Sequence, residues 1–420
     1  MKILIIGGGF AGLNAALALK NAPVDILLID KTNHHLFQPL LYQVATAVLS
    51  PGNIASPIRE ILAKQNNTTV LLAEIVKIDK LNHEVIAANG EHYPYDYLIL
   101  APGTRHSYFG HDDWEPFAPG LKTLDDALKI RERILLSYER AERCESLSEA
   151  TKFMSFVIIG GGPTGVEMAG SIGEIAHKTL VTNFRHIKPE QTKIYLIEGE
   201  SQVLPSFPKD LAEKARIDLE KLGVQVYLNS YVTNVTATGV RLGDQFIESP
   251  NIIWAAGNAA SPLLKSLDIP LDRSGRAIVK ADLTVPNHPE IFVIGDAAAL
   301  NGADGKPLPG VAPVAIQQGR YVAKLLSQKN LVEPDKRPPF KYRDKGMMAT
   351  IGKAKAVAKV GKLKMSGYPA WLMWSLIHIV YLITFSNKLL VMIQWFYLYL
   401  SNQRRIRLIT RPIGDQDDPI

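Results

Sequence analysis

Two glycine-rich fingerprints of one type, about 150 residues apart, constrain this chain more than any other feature. The first, Gly7-Gly8-Gly9-Phe10-Ala11-Gly12, follows the apolar run Ile3-Leu4-Ile5-Ile6. The second, Gly160-Gly161-Gly162-Pro163-Thr164-Gly165, follows Phe156-Val157-Ile158-Ile159. Each predicts a buried parallel strand, a tight turn and the start of a helix. The first glycine (Gly7, Gly160) allows the turn, the second (Gly9, Gly162) lets backbone approach a pyrophosphate, and the third (Gly12, Gly165) lets helix and strand pack closely. The helix N-terminus then offers free N–H groups and partial positive charge to phosphates. Two such sites in one chain imply two dinucleotides, and electron transfer from one to the other is the chemistry two would serve.

A dinucleotide site also needs an acid at the end of its second strand, to accept hydrogen bonds from ribose hydroxyls. Val24 to Ile29 reads as that strand for the first fingerprint, and Asp30-Lys31 follows it. Lys193 to Ile197 serves the second, followed by Glu198; residues 177–191 lengthen this connection. A carboxylate at Glu198 repels a 2′-phosphate, which predicts NADH over NADPH. The plainer alternative is that both acids merely end strands.

Further downstream, Glu290 to Ile294 reads as a strand ending in Gly295-Asp296, whose carboxylate can accept hydrogen bonds from a polyol. Two more strand-then-glycine segments end in Gly103 and Gly257 and stand at domain crossings. With these in place the chain resembles the two-dinucleotide-binding flavoprotein superfamily that includes glutathione reductase. The resemblance covers residues 1 to about 325. It implies an FAD domain, built on the first fingerprint and Asp296, interrupted by an inserted NADH domain. Pro102 departs from it, standing where Thr is frequent.

The chain has one cysteine, Cys144, on a charged segment that reads as an exposed helix. Without a cysteine pair, electrons cannot pass to a dithiol, and Cys-ligated iron–sulfur centres are excluded. The acceptor therefore meets the flavin directly. No His/Cys/Asp cluster has metal-ligand spacing, so no metal is predicted.

Composition changes beyond residue 340. Residues 341–411 carry 13 Lys or Arg against one acid, Asp344, although the whole chain is only +6. Three of the five Trp lie there: Trp371, Trp374 and Trp395. Two apolar stretches, 369–385 and 389–400, are separated by Ser386-Asn387-Lys388 and followed by Arg404, Arg405, Arg407 and Arg411. Each is shorter than the ~20 residues a spanning helix needs. The pattern fits helices lying in the plane of an anionic bilayer. A core helical hairpin or a dimer interface would share it. The basic residues flank apolar helices and do not interleave with a stacking surface, so no nucleic-acid partner is expected.

A membrane-bound flavoenzyme that oxidises NADH has quinone as its acceptor in the bilayer, and here the sequence resembles type II NADH dehydrogenase, the single-subunit, non-pumping NADH–quinone oxidoreductase. Phe37 to Thr46, Gly310 to Gly319, Asp344 to Gly352 and the amphipathic tail carry the resemblance, which spans nearly the whole chain. Pro313 departs from the Ala-Gln-x-Ala-x-Gln motif, where the first Gln is usual, while Gln317 keeps the second. The resemblance implies that Glu167 lies between nicotinamide and flavin, positioning NADH or relaying a proton. A first-turn helix acid favouring the macrodipole is the other reading. It places Gln317 and Gln318 at the flavin and quinone end and Thr46 at the quinone side. Cofactor contacts are expected from Lys31, Gln43, Ile75, Gly103, Gly257, Ala315 and Lys345, with the fingerprint glycines, Asp30, Glu198 and Asp296. His378, in an apolar stretch, reads as a packed or interfacial residue.

The predicted fold is α/β: two Rossmann-like dinucleotide-binding domains, the FAD domain interrupted by the NADH domain, plus a C-terminal amphipathic helical membrane-binding segment. The boundaries are 1–112 and 270–335 for FAD, 113–269 for NADH and 336–420 for the membrane segment. Since the chain enters its first strand at once, a cytoplasmic enzyme on the inner face of a prokaryotic membrane is expected, as a homodimer by resemblance. Two rival functions share these motifs. One is an NAD(P)H–quinone reductase of quinone biosynthesis or redox protection. The other is an NADH-binding flavoprotein with a signalling or partner-binding role.

Overall fold

The computed structural model describes residues 1–303, 305–328 and 332–410; Arg411 lies outside the described residues. The chain divides into two compact units.

The first unit comprises Met1–Leu36, Ala55–Arg105 and Asn258–Lys345. Its six-stranded sheet runs in the order Thr284–Val285, His288–Val293, Tyr97–Leu100, Lys2–Ile6, Asp25–Asp30, Thr68–Leu72, parallel but for the first pair. Ile3, Leu4 and Ile5 are all fully buried, because a parallel strand is covered on both faces and has no polar side to show. The chain leaves this sheet after Tyr97–Leu100 and re-enters as His288–Val293, directly beside it. That pairing joins the two parts of an interrupted domain in one sheet. Helix Phe10–Ala18 packs on helix Ala312–Leu326, whose Gly319 lies so close that a Cβ would stand 2.2 Å from the Ala11 carbonyl oxygen. An antiparallel meander of Ile75–Asp79, Glu84–Ala87 and His92–Pro94 completes the unit.

The second unit comprises Phe37–Ile54, His106–Gly257 and residues 346–410. Its four-stranded parallel sheet has the order Val224–Tyr227, Lys193–Ile197, Ser155–Ile159, Asn251–Trp254. Helix Leu124–Glu142 starts in a capping box, with Thr123 and Asp126 satisfying each other's backbone N–H groups. The fingerprint helix Pro163–Glu174 continues into a π turn, Ile175–Thr179, the start of the long connection before Glu198. Cys144 is half-buried just past helix Leu124–Glu142, its Sγ donating to the Arg140 carbonyl at 3.3 Å.

The tail differs from its sequence reading in two respects. Where 336–420 is set apart as a segment of its own, the structure places residues 346–410, and also 37–54, with the second fingerprint. The physical reason is contact. Strands Met347–Gly352, Lys355–Val360 and Leu363–Ser366 form an antiparallel sheet, and the first lies on the fingerprint helix at Gly170. A Cβ there would stand 1.7 Å from the Ile351 carbonyl oxygen, so only glycine admits the strand. The second difference is the helix break. The helices are Tyr368–Tyr381 and Phe385–Ser401, so Ser386-Asn387-Lys388 is the first turn of the second helix. Thr384 sets that start, its hydroxyl accepting from the Asn387 N–H at 3.4 Å. Among the described residues no helix is long and apolar enough to cross a membrane.

Candidate active site

The two fingerprints fold into the same device. In each, the acid at the end of the second strand accepts from the backbone of the glycine turn: Asp30 Oδ2 from Gly8 N and Glu198 Oε2 from Gly161 N, both at 2.6 Å. The helix–strand approach repeats as well. A Cβ on Gly12 would lie 1.9 Å from the Gly7 carbonyl oxygen, and one on Gly165 would lie 1.8 Å from that of Gly160. Gly9 and Gly162 face open space, and the helices that begin beside them have no side-chain cap. Open backbone and uncapped N–H groups suit a pyrophosphate. The residues present therefore fit two dinucleotides, one in each unit.

In the first unit, Gln318 is 1% exposed and its Oε1 accepts from Gly295 N at 2.6 Å. It thus holds the turn that presents Asp296, which lies against Gly310 at the start of the same motif. Gln317 pairs both ends of its amide with the Arg343 backbone, at 3.0 Å each. The structure therefore gives these two side chains structural bonds, where the resemblance gives them roles at the flavin and quinone. Ala315 is buried against Gly295. Ile75 is buried in the apolar core, and Lys31 and Lys345 are exposed. Gly103 takes a positive φ of 69° with open space around it. Gly257 belongs to the second unit, where a side chain would strike Phe109 and the Ser107 carbonyl; packing already accounts for it.

The second unit contains a cavity lined by side chains from three stretches of chain. Tyr42, Gln43 and Val48 come from one, Glu167, Ser171 and Glu174 from the fingerprint helix, and Thr350, Lys353, Trp371, Trp374, Trp395 and Arg404 from the tail. The helix contribution follows from its spacing, since residues 167, 171 and 174 repeat at i, i+4 and i+7 and share one face. Glu167 is half-buried and lines the cavity. Burial pushes its carboxyl up to about 8, against the pull of the Thr350 N–H, which lies 3.5 Å from Oε1. The carboxyl thus stays protonated at neutral pH.

Beneath it lies a buried polar staple. Arg404, 2% exposed, donates Nη1 to the Thr46 carbonyl at 2.6 Å and to Ser171 Oγ at 3.0 Å. Its Nη2 donates to the Ser171 carbonyl at 3.1 Å and pairs with Glu174 Oε2 at 3.4 Å. Glu174 Oε1 also accepts from Lys353 N at 2.7 Å and Lys178 Nζ at 3.1 Å. Thr46 is fully buried here, its hydroxyl donating to the Tyr42 carbonyl and accepting from Ser171. It supports the cavity wall, with its hydroxyl hydrogen committed to the Tyr42 carbonyl. Gln43, expected among the cofactor contacts, joins Tyr42 to Trp395. His378 is packed, with Nδ1 against the Trp374 carbonyl at 2.6 Å, and burial lowers its pKa to about 4.

Sequence reasoning missed Tyr42, Ser171, Glu174 and Arg404. The polar stripe 167–171–174 on an apolar helix is a signal that could have found two of them. Arg404 carried none, since it stands in a basic run that reads as a solvated surface. Among the described residues no group of three His, Cys, Asp or Glu could hold a metal ion.

Comparison with known proteins agrees with this architecture. Residues 1–319 match the pyridine nucleotide-disulphide oxidoreductase family. The type II NADH:quinone oxidoreductase Ndh of Mycobacterium tuberculosis is 44% identical, over 97% of this chain and 90% of its own. A second from that organism, NdhA, is 45% identical over 97% and 89%. The solved structure of NDH2 from Plasmodium falciparum in complex with NADH has the same fold, with a TM-score of 0.88 at 22% identity, over 97% of this chain and 99% of that one. With its two dinucleotide cradles and a near full-length match to these enzymes, the chain belongs to the type II NADH:quinone oxidoreductase family.

Proposed function

We propose that the chain performs its family's reaction, moving two electrons from NADH through FAD to a membrane quinone as a single subunit that pumps no protons. FAD, when bound, supplies a carrier that accepts hydride from NADH and returns the electron pair to a second acceptor. The chain's own residues do the rest. The turn Gly7–Gly12 and the uncapped helix behind it bind the FAD pyrophosphate, Asp30 accepts from its ribose, and Asp296, on the turn held by Gln318, accepts from the polyol. The twin cradle Gly160–Gly165 binds NADH, and Glu198 disfavours the 2′-phosphate of NADPH.

The observation that carries the quinone half is Glu167, a carboxyl protonated at neutral pH in a cavity walled by the aromatics of the tail. Thr350 N–H points at Oε1, which leaves the proton on Oε2. Quinone reduction needs two electrons and two protons. The hydride that leaves NADH brings the electron pair and one of those protons, and Glu167 Oε2 delivers the other to a ring oxygen and is reprotonated from water; a general acid works best with a pKa near the working pH.

The tail would bring the protein to its quinone. Leu372, Leu376 and Val380 form one exposed stripe, and Leu389, Ile393, Phe396 and Leu400 another, with Leu376 64% and Phe396 66% exposed. Apolar stripes flanked by arginines suit the interface of an anionic bilayer. The protein would thus be peripheral, on the cytoplasmic face where NADH is made, and would work as a homodimer.

The test is NADH oxidation by the FAD-loaded protein in liposomes with a short-chain quinone, beside NADPH. Fast quinone-dependent turnover with NADH and weak turnover with NADPH is the expected result. Flavin that is bleached by NADH but passes nothing to quinone would overturn the proposal. Equal turnover with NADPH would overturn the role of Glu198.

A further inference from the structure

Most polar groups of the cavity are already engaged with other groups of the protein. Ser171, Glu174 and Arg404 belong to the staple, and Lys353 Nζ donates to Asn402 Oδ1 at 2.8 Å. Tyr42 is different, and the direction of its hydrogen bonds can be deduced. Trp395 Nε1 lies 2.7 Å from Gln43 Oε1. An indole N–H can only donate, so the amide oxygen must face it. The NH2 end of Gln43 is then turned to Tyr42, and Nε2 donates to the phenol oxygen at 2.9 Å. The phenol therefore accepts, and its own O–H is left over. No described side chain accepts it, although Tyr42 is only 6% exposed and lines the cavity. A buried donor without an acceptor is costly, and a ligand oxygen would relieve it.

We propose that Tyr42 donates a hydrogen bond to a ring oxygen of the quinone, and that Gln43 and Trp395 are positioning residues that aim it. The proposal rests on the reading of this cavity as the quinone site. It gives the tail a second task, since Trp395 lies on the buried side of helix Phe385–Ser401 while Ile393, Phe396 and Leu400 lie on the exposed side. The helix that meets the bilayer thus also orients a donor inside the cavity. Burial, with the nearby Glu167, raises the Tyr42 pKa well above its ordinary value, so the phenol remains a donor throughout the working pH range. Its contribution is consequently independent of pH, unlike that of Glu167.

The experiment compares wild type, Tyr42→Phe, Trp395→Phe and the double variant, all full length and FAD-loaded. Two quantities are read: the KM and kcat for a short-chain quinone, and the single-turnover bleaching of flavin by NADH. Tyr42→Phe keeps the ring and should raise the quinone KM roughly tenfold, the weight of one lost hydrogen bond to a ligand, with flavin bleaching unchanged. Trp395→Phe should raise it less, and the double variant should be no worse than Tyr42→Phe, since the indole then has nothing to orient. A merely structural effect of Trp395→Phe would lower the melting temperature and add to that of Tyr42→Phe. Wild-type quinone kinetics in Tyr42→Phe, or additive effects in the double variant, would overturn the proposal. If wild type itself reduces no quinone while its flavin bleaches, the reading of the function fails instead.

Discussion

Replacing Glu167 by Gln keeps the shape and hydrogen-bonding ends of the side chain and removes the titrating proton. The carboxyl is lifted from 4.5 to about 8, with burial as the main cause. That shift corresponds to at most ~5 kcal/mol of penalty on the ionised form, at about 1.4 kcal/mol per unit. The sign of the pH dependence follows. Between the unfolded and folded pKa the native state holds a proton that the unfolded chain has lost. Wild-type stability therefore falls as pH rises from about 4.5 to 8, and levels off above the folded value. The Gln variant lacks this slope, so its stability relative to wild type should increase steadily over pH 5–8 in chemical denaturation. In turnover, wild-type quinone reduction should decline as pH rises through about 8, because the acid is then ionised. The Gln variant should be slower throughout and show no inflection there, while single-turnover bleaching of flavin by NADH keeps its own pH profile. A Gln variant that retains the wild-type inflection, or whose relative stability does not change with pH, would refute the assignment of Glu167 as the neutral buried acid.

Three further outcomes follow from other contacts. Arg404→Met should lower stability by about 3 kcal/mol, the low end for removing one partner of a buried ion pair, because Glu174 keeps the Lys353 and Lys178 donors; denaturant titration measures it. Gly170→Ala should push strand Met347–Gly352 off its helix at a cost of ~1–3 kcal/mol or more, visible as faster proteolytic cleavage of the tail. Leu376→Glu with Phe396→Glu, both on the exposed face, should abolish co-sedimentation with anionic liposomes and leave NADH oxidation by a soluble dye intact.

The parts of this protein that were legible in the sequence are those set by local backbone demands. Gly7, Gly12, Gly160 and Gly165 announce their turns because no other residue fits them, and the apolar runs before them can only be doubly covered strands. Asp30 and Glu198 follow at strand ends and do meet their glycine turns. What stayed hidden depends on contacts between distant stretches. Gln43 and Trp395 lie hundreds of residues apart, and nothing local to either predicts their bond. Arg404 reads like Arg405, yet the first is buried against Ser171 and Glu174 while the second is exposed. The break between the tail helices was misplaced because polar Ser386-Asn387-Lys388 reads as a linker, whereas the Thr384 cap makes those residues a first turn. Gln317 and Gln318 were found by motif, but only the fold shows that their amides bind backbone.

The seating of strand Met347–Gly352 on Gly170 bears on how a water-soluble form of this enzyme could be engineered. Cutting the chain before residue 346 would strip a three-stranded sheet from the nucleotide-binding helix, remove more than half of the cavity wall, and leave Glu174 without its Lys353 and Arg404 donors. The truncated protein would then be crippled for reasons unrelated to lipid. The greasy stripes, by contrast, are side chains on the far side of two intact helices, and they can be repainted with charge one position at a time while everything beneath them stays in place.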